Sequence, residues 1–291
     1  MSAALKLGGF AAALVLLFGA AAVAGDAVGP DRGDDSRAET GGHAEGEMAA
    51  GDTAGGHAGE AAAAPVRGLA VSGEGLTLAL ESTELERGRP SDLRFSILGA
   101  DGRPVRDFEV EHEKRMHLIV VRRDGSGFQH LHPELDPSGT WSVPVTLGDA
   151  GSYRVFADFK HDGKARTLAA DLNVDGNARY RPLPTPTLTA DAGDGYDVRL
   201  DAGGVSPGRE AELGFTVTRD GQPVQTEPYL GARGHLVALR EGDLAFLHVH
   251  PDEDALAFMA EFPSAGRYRL YLQFRHDGHV RTAAFTHEVL R

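Results

Sequence analysis

No cysteine occurs in the sequence, and this absence removes a whole group of chemistries. Disulfide staples, thiol redox reactions, iron–sulfur clusters and thiolate zinc sites are excluded. Any metal must be held by imidazole, carboxylate, carbonyl or thioether groups. Basic residues are also scarce: 29 Lys and Arg stand against 43 Asp and Glu, for a formal charge of -14, and no Lys/Arg cluster is present. Nucleic-acid binding needs such clusters to release phosphate counterions, so nucleic acid is not an expected partner and cations are. Aromatic residues reach only 7%, with a single Trp, enough for modest cores. There is no Gly-X-Ser-X-Gly elbow, Gly-rich phosphate loop or His-Glu-X-X-His helix, so no enzyme is expected. The nearest feature, Gly125-Ser126-Gly127, lies in a hairpin turn with no helix to follow it.

The N-terminus does carry a signal. Lys6, an apolar run from Phe10 to Val23 and the small-residue motif Ala22-Val23-Ala24 read as a secretory signal peptide over residues 1–24. The alternative is an uncleaved anchor, since Leu7 to Ala24 approaches the roughly 18–20 residues of a membrane span. Either way the rest of the chain is expected outside the cytoplasm, secreted or attached to the outer face of the membrane. Residues 25–66 are rich in Gly, Ala, Asp and Glu and cannot bury enough surface to offset ordering, so they read as a disordered linker. Its His43, Met48 and His57 have no scaffold and count as solvated.

From Gly75 onward, short alternating or apolar runs separated by Gly, Pro, Asp and Asn predict an all-β sandwich class. The runs repeat. RMHLIVVRRDGSGFQHLHPELD from Arg115 is echoed by RGHLVALREGDLAFLHVHPDED from Arg233, and AGSYRVFADFKHDGKART from Ala150 by AGRYRLYLQFRHDGHVRT from Ala265. The chain therefore reads as two tandem immunoglobulin-like β-sandwich domains, residues 67–176 and 192–291. A Pro-rich connector, 177–191, joins them and should be extended and semi-rigid. Trp141 and the Tyr residues of the two AGxYR strands are expected core anchors.

Turn chemistry places the histidines. Asp124-Gly125 suits a two-residue type I′ turn, which sets Val121 opposite Phe128, Ile119 opposite His130 and His117 opposite His132, all on one face. In the second copy Gly242-Asp243 suits a type II′ turn and sets His235 opposite His250, with His248 diagonal to it. A further pair, His161 and His276, ends a later strand just before an Asp-Gly turn and is a possible addition to each cluster. Neutral imidazoles at i, i+2 with a cross-strand partner form a facial arrangement suited to Cu(II) or Zn(II). Met116 should point to the opposite face from His117 and is not counted as a ligand, and Glu134 and Glu253 read as solvated.

The segments MHLIVVRRDGSGFQHLHP (from Met116) and PYLGARGHLVALREGDLAFLHVHP (from Pro228) resemble bacterial, especially actinobacterial, exported or membrane-attached proteins with tandem immunoglobulin-like domains, described as heavy-metal-associated or copper-resistance-like. The resemblance covers nearly everything after the linker. It implies His117, His130, His132, His235, His248 and His250 as the matching positions. The copies differ elsewhere: His112 has Leu230 as its counterpart, and Lys164 has His279.

The expected function is thus an exported metal-binding protein, with one His cluster in each domain holding copper, or less readily zinc, for sequestration or delivery. Its partners would be the metal ion and another exported metal-handling protein, with membrane contact only through an uncleaved N-terminal segment. The rival is a non-enzymatic extracytoplasmic module that binds a partner protein or cell-wall component, in which the histidines only pack.

Overall fold

A computed structural model describes residues 66–247 and 249–291. The signal peptide, nearly all of the linker with its two histidines, and His248 lie outside the described residues. Among those described every regular element is a strand, and no helix is long and apolar enough to cross a membrane.

The first repeat contains β1 (Ser72–Gly73), β2 (Leu76–Leu80), β3 (Glu84–Leu85), β4 (Ser91–Leu98), β5 (His117–Arg122), β6 (Gln129–Leu131), β7 (Glu134–Leu135), β8 (Trp141–Val145), β9 (Gly151–His161) and β10 (Lys164–Val174). They form two sheets, ordered β1-β2-β4-β8-β7 and β3-β10-β9-β5-β6. The second repeat contains β11 (Thr189–Asp191), β12 (Tyr196–Ala202), β13 (Glu210–Arg219), β14 (Gln222–Pro223), β15 (His235–Arg240), β16 (Phe246–Leu247), β17 (Val249–Pro251), β18 (Ala257–Glu261), β19 (Gly266–His276) and β20 (His279–Val289). Its sheets run β11-β12-β13-β18-β17, with β14 beside β13, and β16-β15-β19-β20. The tandem β-sandwich expectation is met.

Each sandwich closes over its own core because side chains alternate along a strand. In the first, Phe95, Trp141, Leu118, Val120, Val155 and Met116 are buried together. In the second, Tyr196, Phe215, Leu236, Leu270, Phe274 and Phe285 play the same part. Met116 faces the core and away from His117, as period two requires. The paired AGxYR strands act alike: Tyr153 donates its hydroxyl to the Asp149 carbonyl at 2.9 Å, and Tyr268 donates to Ser264 at 2.8 Å. Both rings are buried, and both are tyrosine corners of the immunoglobulin type.

A third core joins the repeats. β5 is buried on both faces, and its odd residues Ile119 and Val121 pack with Phe156 and Ala169 against Val237, Leu239, Phe246 and Tyr271 of the second repeat. The contacts come in exchanged pairs. Phe128 stacks on Tyr271 with centroids 4.0 Å apart, and Phe246, the counterpart of Phe128, meets Phe156, the counterpart of Tyr271, at 5.5 Å. Such reciprocity is the signature of a two-fold, isologous interface, here formed inside one chain. Gly68 (φ 66°) threads this seam: a Cβ there would lie 2.7 Å from the Phe156 ring and 2.9 Å from Phe246, so no other residue fits.

The connector is tied down rather than free. Tyr180 accepts from the Ser152 amide at 2.8 Å, the Arg181 amide donates to Asp124 at 2.9 Å, and the Arg122 guanidinium lies 4.7 Å from the Tyr180 ring centre.

Candidate metal centre

The register on β5 and β6 follows expectation: Ile119 pairs with His130 and Leu118 with Leu131. The turn does not. Arg122 and Ser126 close a three-residue loop with Gly125 at φ 74°, and Gly127 at φ 63° takes up the additional residue, restoring the register before His130. The second hairpin also opens wider than two residues, from Arg240 to Ala245, yet keeps Ala238 opposite Leu247. Beyond Leu247 the copies part company. Val249–Pro251 pairs with β18 in the other sheet, so His250 lies opposite Met259 and is exposed instead of facing His235.

His161 and His276 also stay away. They continue the core-facing side of β9 and β19, whereas His117 and His235 occupy the outer side of β5 and β15. His161 Nδ1–H donates to the Asp107 carbonyl at 2.8 Å, and His276 Nδ1 pairs with the Tyr196 hydroxyl at 2.7 Å. Among the described residues, two clusters, one per domain, are therefore not what forms. The structure brings His117, His130 and His235 to one point in the seam, with ligand nitrogens within 4.8 Å of one another. His117 and His235, equivalent residues of the two copies, stack at 5.4 Å and 7°, and His130 stacks on His235 at 4.6 Å. His132 lies 4.8 Å from His130 and 5.1 Å from His117, and its Nε2 is buried without a hydrogen-bond partner. Sequence reasoning passed over His112, whose ring contacts both His117 and His235, as it did Gln273.

Hydrogen bonds fix the tautomers. His117 Nε2 lies 3.1 Å from the Glu111 carbonyl, which only accepts, so this nitrogen carries the proton. His130 Nδ1 lies 2.6 Å from the Gln273 side-chain amide, which is itself 3.3 Å from Thr282 Oγ1. His117 Nδ1 and His130 Nε2 face each other at 3.0 Å, a hydrogen-bond distance with His117 Nδ1 as the acceptor. The rings are neutral at neutral pH. Burial pushes His117 down to about 4, His130 to about 3 and His132 to about 4, and holds His235 well below the ordinary histidine range.

His117 and His235 each have a polar neighbour on the next strand, Asp158 beside His117 and Gln273 beside His235. Asp158 is half-buried and accepts from Thr167 Oγ1 at 2.6 Å, and desolvation raises its carboxyl to about 6. A carbonyl or amide oxygen behind an imidazole is the usual outer support of a metal-ligating histidine.

A family model described as a domain of unknown function (DUF8832) matches twice, over residues 70–176 and 190–290, which together make up more than half of the chain. The chain belongs to the DUF8832 family. Among solved structures the two DUF8832 domains are similar to FdeC, an Escherichia coli adhesin (14% identity, TM-score 0.27), over 76% of this chain and 66% of that one. An alpha-2-macroglobulin from Salmonella is similar at 14% identity and TM-score 0.27, over 78% of this chain but only 16% of that one. The titin domains z1z2 in complex with telethonin match at 15% identity and TM-score 0.22, over 75% and 97%. A comparison with curated proteins gave no match. Likeness at this level carries no function.

Proposed function

We propose that this chain is an extracytoplasmic metal-binding protein that holds one ion per molecule in an all-imidazole centre between its repeats. Copper is the preferred ion and zinc the alternative, taken up for sequestration or for delivery to another exported metal-handling protein, without a catalytic step. The observation that carries this reading is the convergence of three neutral imidazoles in the seam, His117, His130 and His235, with ligand nitrogens within 4.8 Å of one another. His117 Nδ1 and His130 Nε2, 3.0 Å apart, would be neighbouring ligands of one ion once the His130 proton sits on Nδ1. His235 supplies a third nitrogen by side-chain adjustment. Imidazole without thiolate suits Cu(II) and Zn(II), and Cu(II) binds such sites more tightly.

Equilibrium dialysis of metal-free protein against Cu(II), with metal analysis, is the test. One ion per chain is expected, lost in His130→Ala and in His235→Ala and retained in His161→Ala and His276→Ala. Two ions per chain, or full binding by His235→Ala, would refute a shared centre. The rival reading, a module binding a protein or cell-wall component, draws on the His117–His235 stack, which cements the seam by itself. It predicts that His235→Ala lowers the melting temperature while the parent protein binds no metal.

A further inference from the structure

We propose that His112 is a further ligand of this centre, delivered by a turn that the two copies share but only the first has equipped for the task. The inference rests on the metal reading above. Glu111 to Lys114 form a tight turn, closed by backbone hydrogen bonds of 2.8 and 3.1 Å, with His112 at φ 48° and Glu113 at φ 64°. Two successive left-handed residues define a type I′ turn, where Asn, Asp and Gly are the usual occupants. The second copy makes the same turn from Tyr229 to Ala232, with Leu230 at φ 55° and Gly231 at φ 80°. There the first central position holds a buried Leu and the second a Gly, the residue that tolerates this conformation.

The first copy has His and Glu at these positions; His is among the residues that tolerate positive φ, and Glu113 at φ 64° is disfavoured there. Strain of this kind persists where surrounding structure holds it, and it concentrates at ligand clamps. What holds it here is visible. The Glu111 carbonyl accepts the His117 Nε2 proton, so one turn both sets the tautomer of His117 and carries His112. The His112 ring stands edge-on to one histidine of each repeat, 6.2 Å from His117 and 6.1 Å from His235. It therefore lies over the stacked pair at the point where both repeats meet, and only half-buried, which makes it the exchangeable member of the set. The centre gains a fourth imidazole from one side alone.

Two substitutions test this by Cu(II) titration of the full-length metal-free protein against a competing chelator, with the nitrogen hyperfine pattern read by electron paramagnetic resonance. His112→Leu installs the second copy's own residue, and His112→Asn keeps a side chain at home in left-handed backbone. Thermal melts of the metal-free variants check that the fold persists. Both variants should still bind one Cu(II), but at least about tenfold more weakly, the lower end of what even a supporting partner is worth to a metal site. Both should also show one fewer coordinated nitrogen. Parent-like affinity and nitrogen count in the two variants would overturn the assignment of His112 while leaving the metal reading intact. A loss in only one of them marks a disturbed turn and overturns it as well. A parent protein that binds no copper removes the metal reading itself.

Discussion

Replacing Gln273 with Leu isolates the argument about tautomers from the ligands themselves. Gln273 touches no ion in the proposed centre; its side-chain amide lies 2.6 Å from His130 Nδ1, from the opposite repeat, and its oxygen is placed to accept the Nδ1 proton when Nε2 binds an ion. Without that acceptor the proton stays on Nε2, in the hydrogen bond to His117 Nδ1 3.0 Å away. The metal-free protein should then lose little, about 0.5–1.5 kcal/mol for the Gln273 bond. Metal binding has to break the bond between the rings with no partner for the displaced proton, so affinity should fall by roughly 10–100-fold, or about 1.4–2.7 kcal/mol. A chelator-competition titration with Cu(II) gives the affinity, and urea unfolding of the metal-free form gives the stability. Unchanged affinity, or a metal-free form destabilised by several kcal/mol, would show that the hydrogen-bond network does not prepare the two nitrogens as described.

Acid should destabilise the metal-free protein. Folded-state values of about 3–4 for His117, His130 and His132 lie below the unfolded value near 6.5, so between these limits the unfolded chain binds more protons. Their contribution is complete above about pH 6.5 and falls away below it, by about 2 kcal/mol each at pH 5. Asp158 works in the other direction: held protonated up to about 6, it returns about 1.4 kcal/mol over the last unit of that range. Urea midpoints should thus drop between pH 7 and pH 5, by the equivalent of about 4 kcal/mol, and a flat profile contradicts the buried neutral cluster. At the seam, Phe128→Ala removes the stack on Tyr271 and should cost about 2–3 kcal/mol in calorimetry, below a full core deletion because Phe128 is only half-buried. Loss of less than about 0.5 kcal/mol, the level of an ordinary surface substitution, would mean the repeats do not stabilise each other there.

Much of this molecule could be read from the chain. Alternation fixed which residues of β5 share a face, and the duplicated segments announced two sandwiches. The pairing of Ile119 with His130 came out correctly even though the turn was assigned the wrong type, because the Gly127 bulge compensates for the longer loop. The seam was harder, since a local pattern does not say what covers the outer face of a strand. A clue was nonetheless present: Leu118 to Val121 and Leu236 to Leu239 are unbroken apolar runs, and a strand apolar on both faces is buried on both. Taken with the outward Phe156 and Tyr271, those runs would have pointed to docking between the copies. His250 was misplaced for a different reason. The chain crosses to the other sheet after Leu247, and hairpin arithmetic holds only while two strands remain partners.

The reciprocal packing of the two halves has a bearing on how such a centre can change. In an assembly of two separate identical chains, every altered side chain at the axis appears twice, and a ligand gained on one side is gained on both. Fusion into one polypeptide removes that constraint. Position 112 carries an imidazole while its counterpart, Leu230, carries an isobutyl group, so the two sides can be tuned independently.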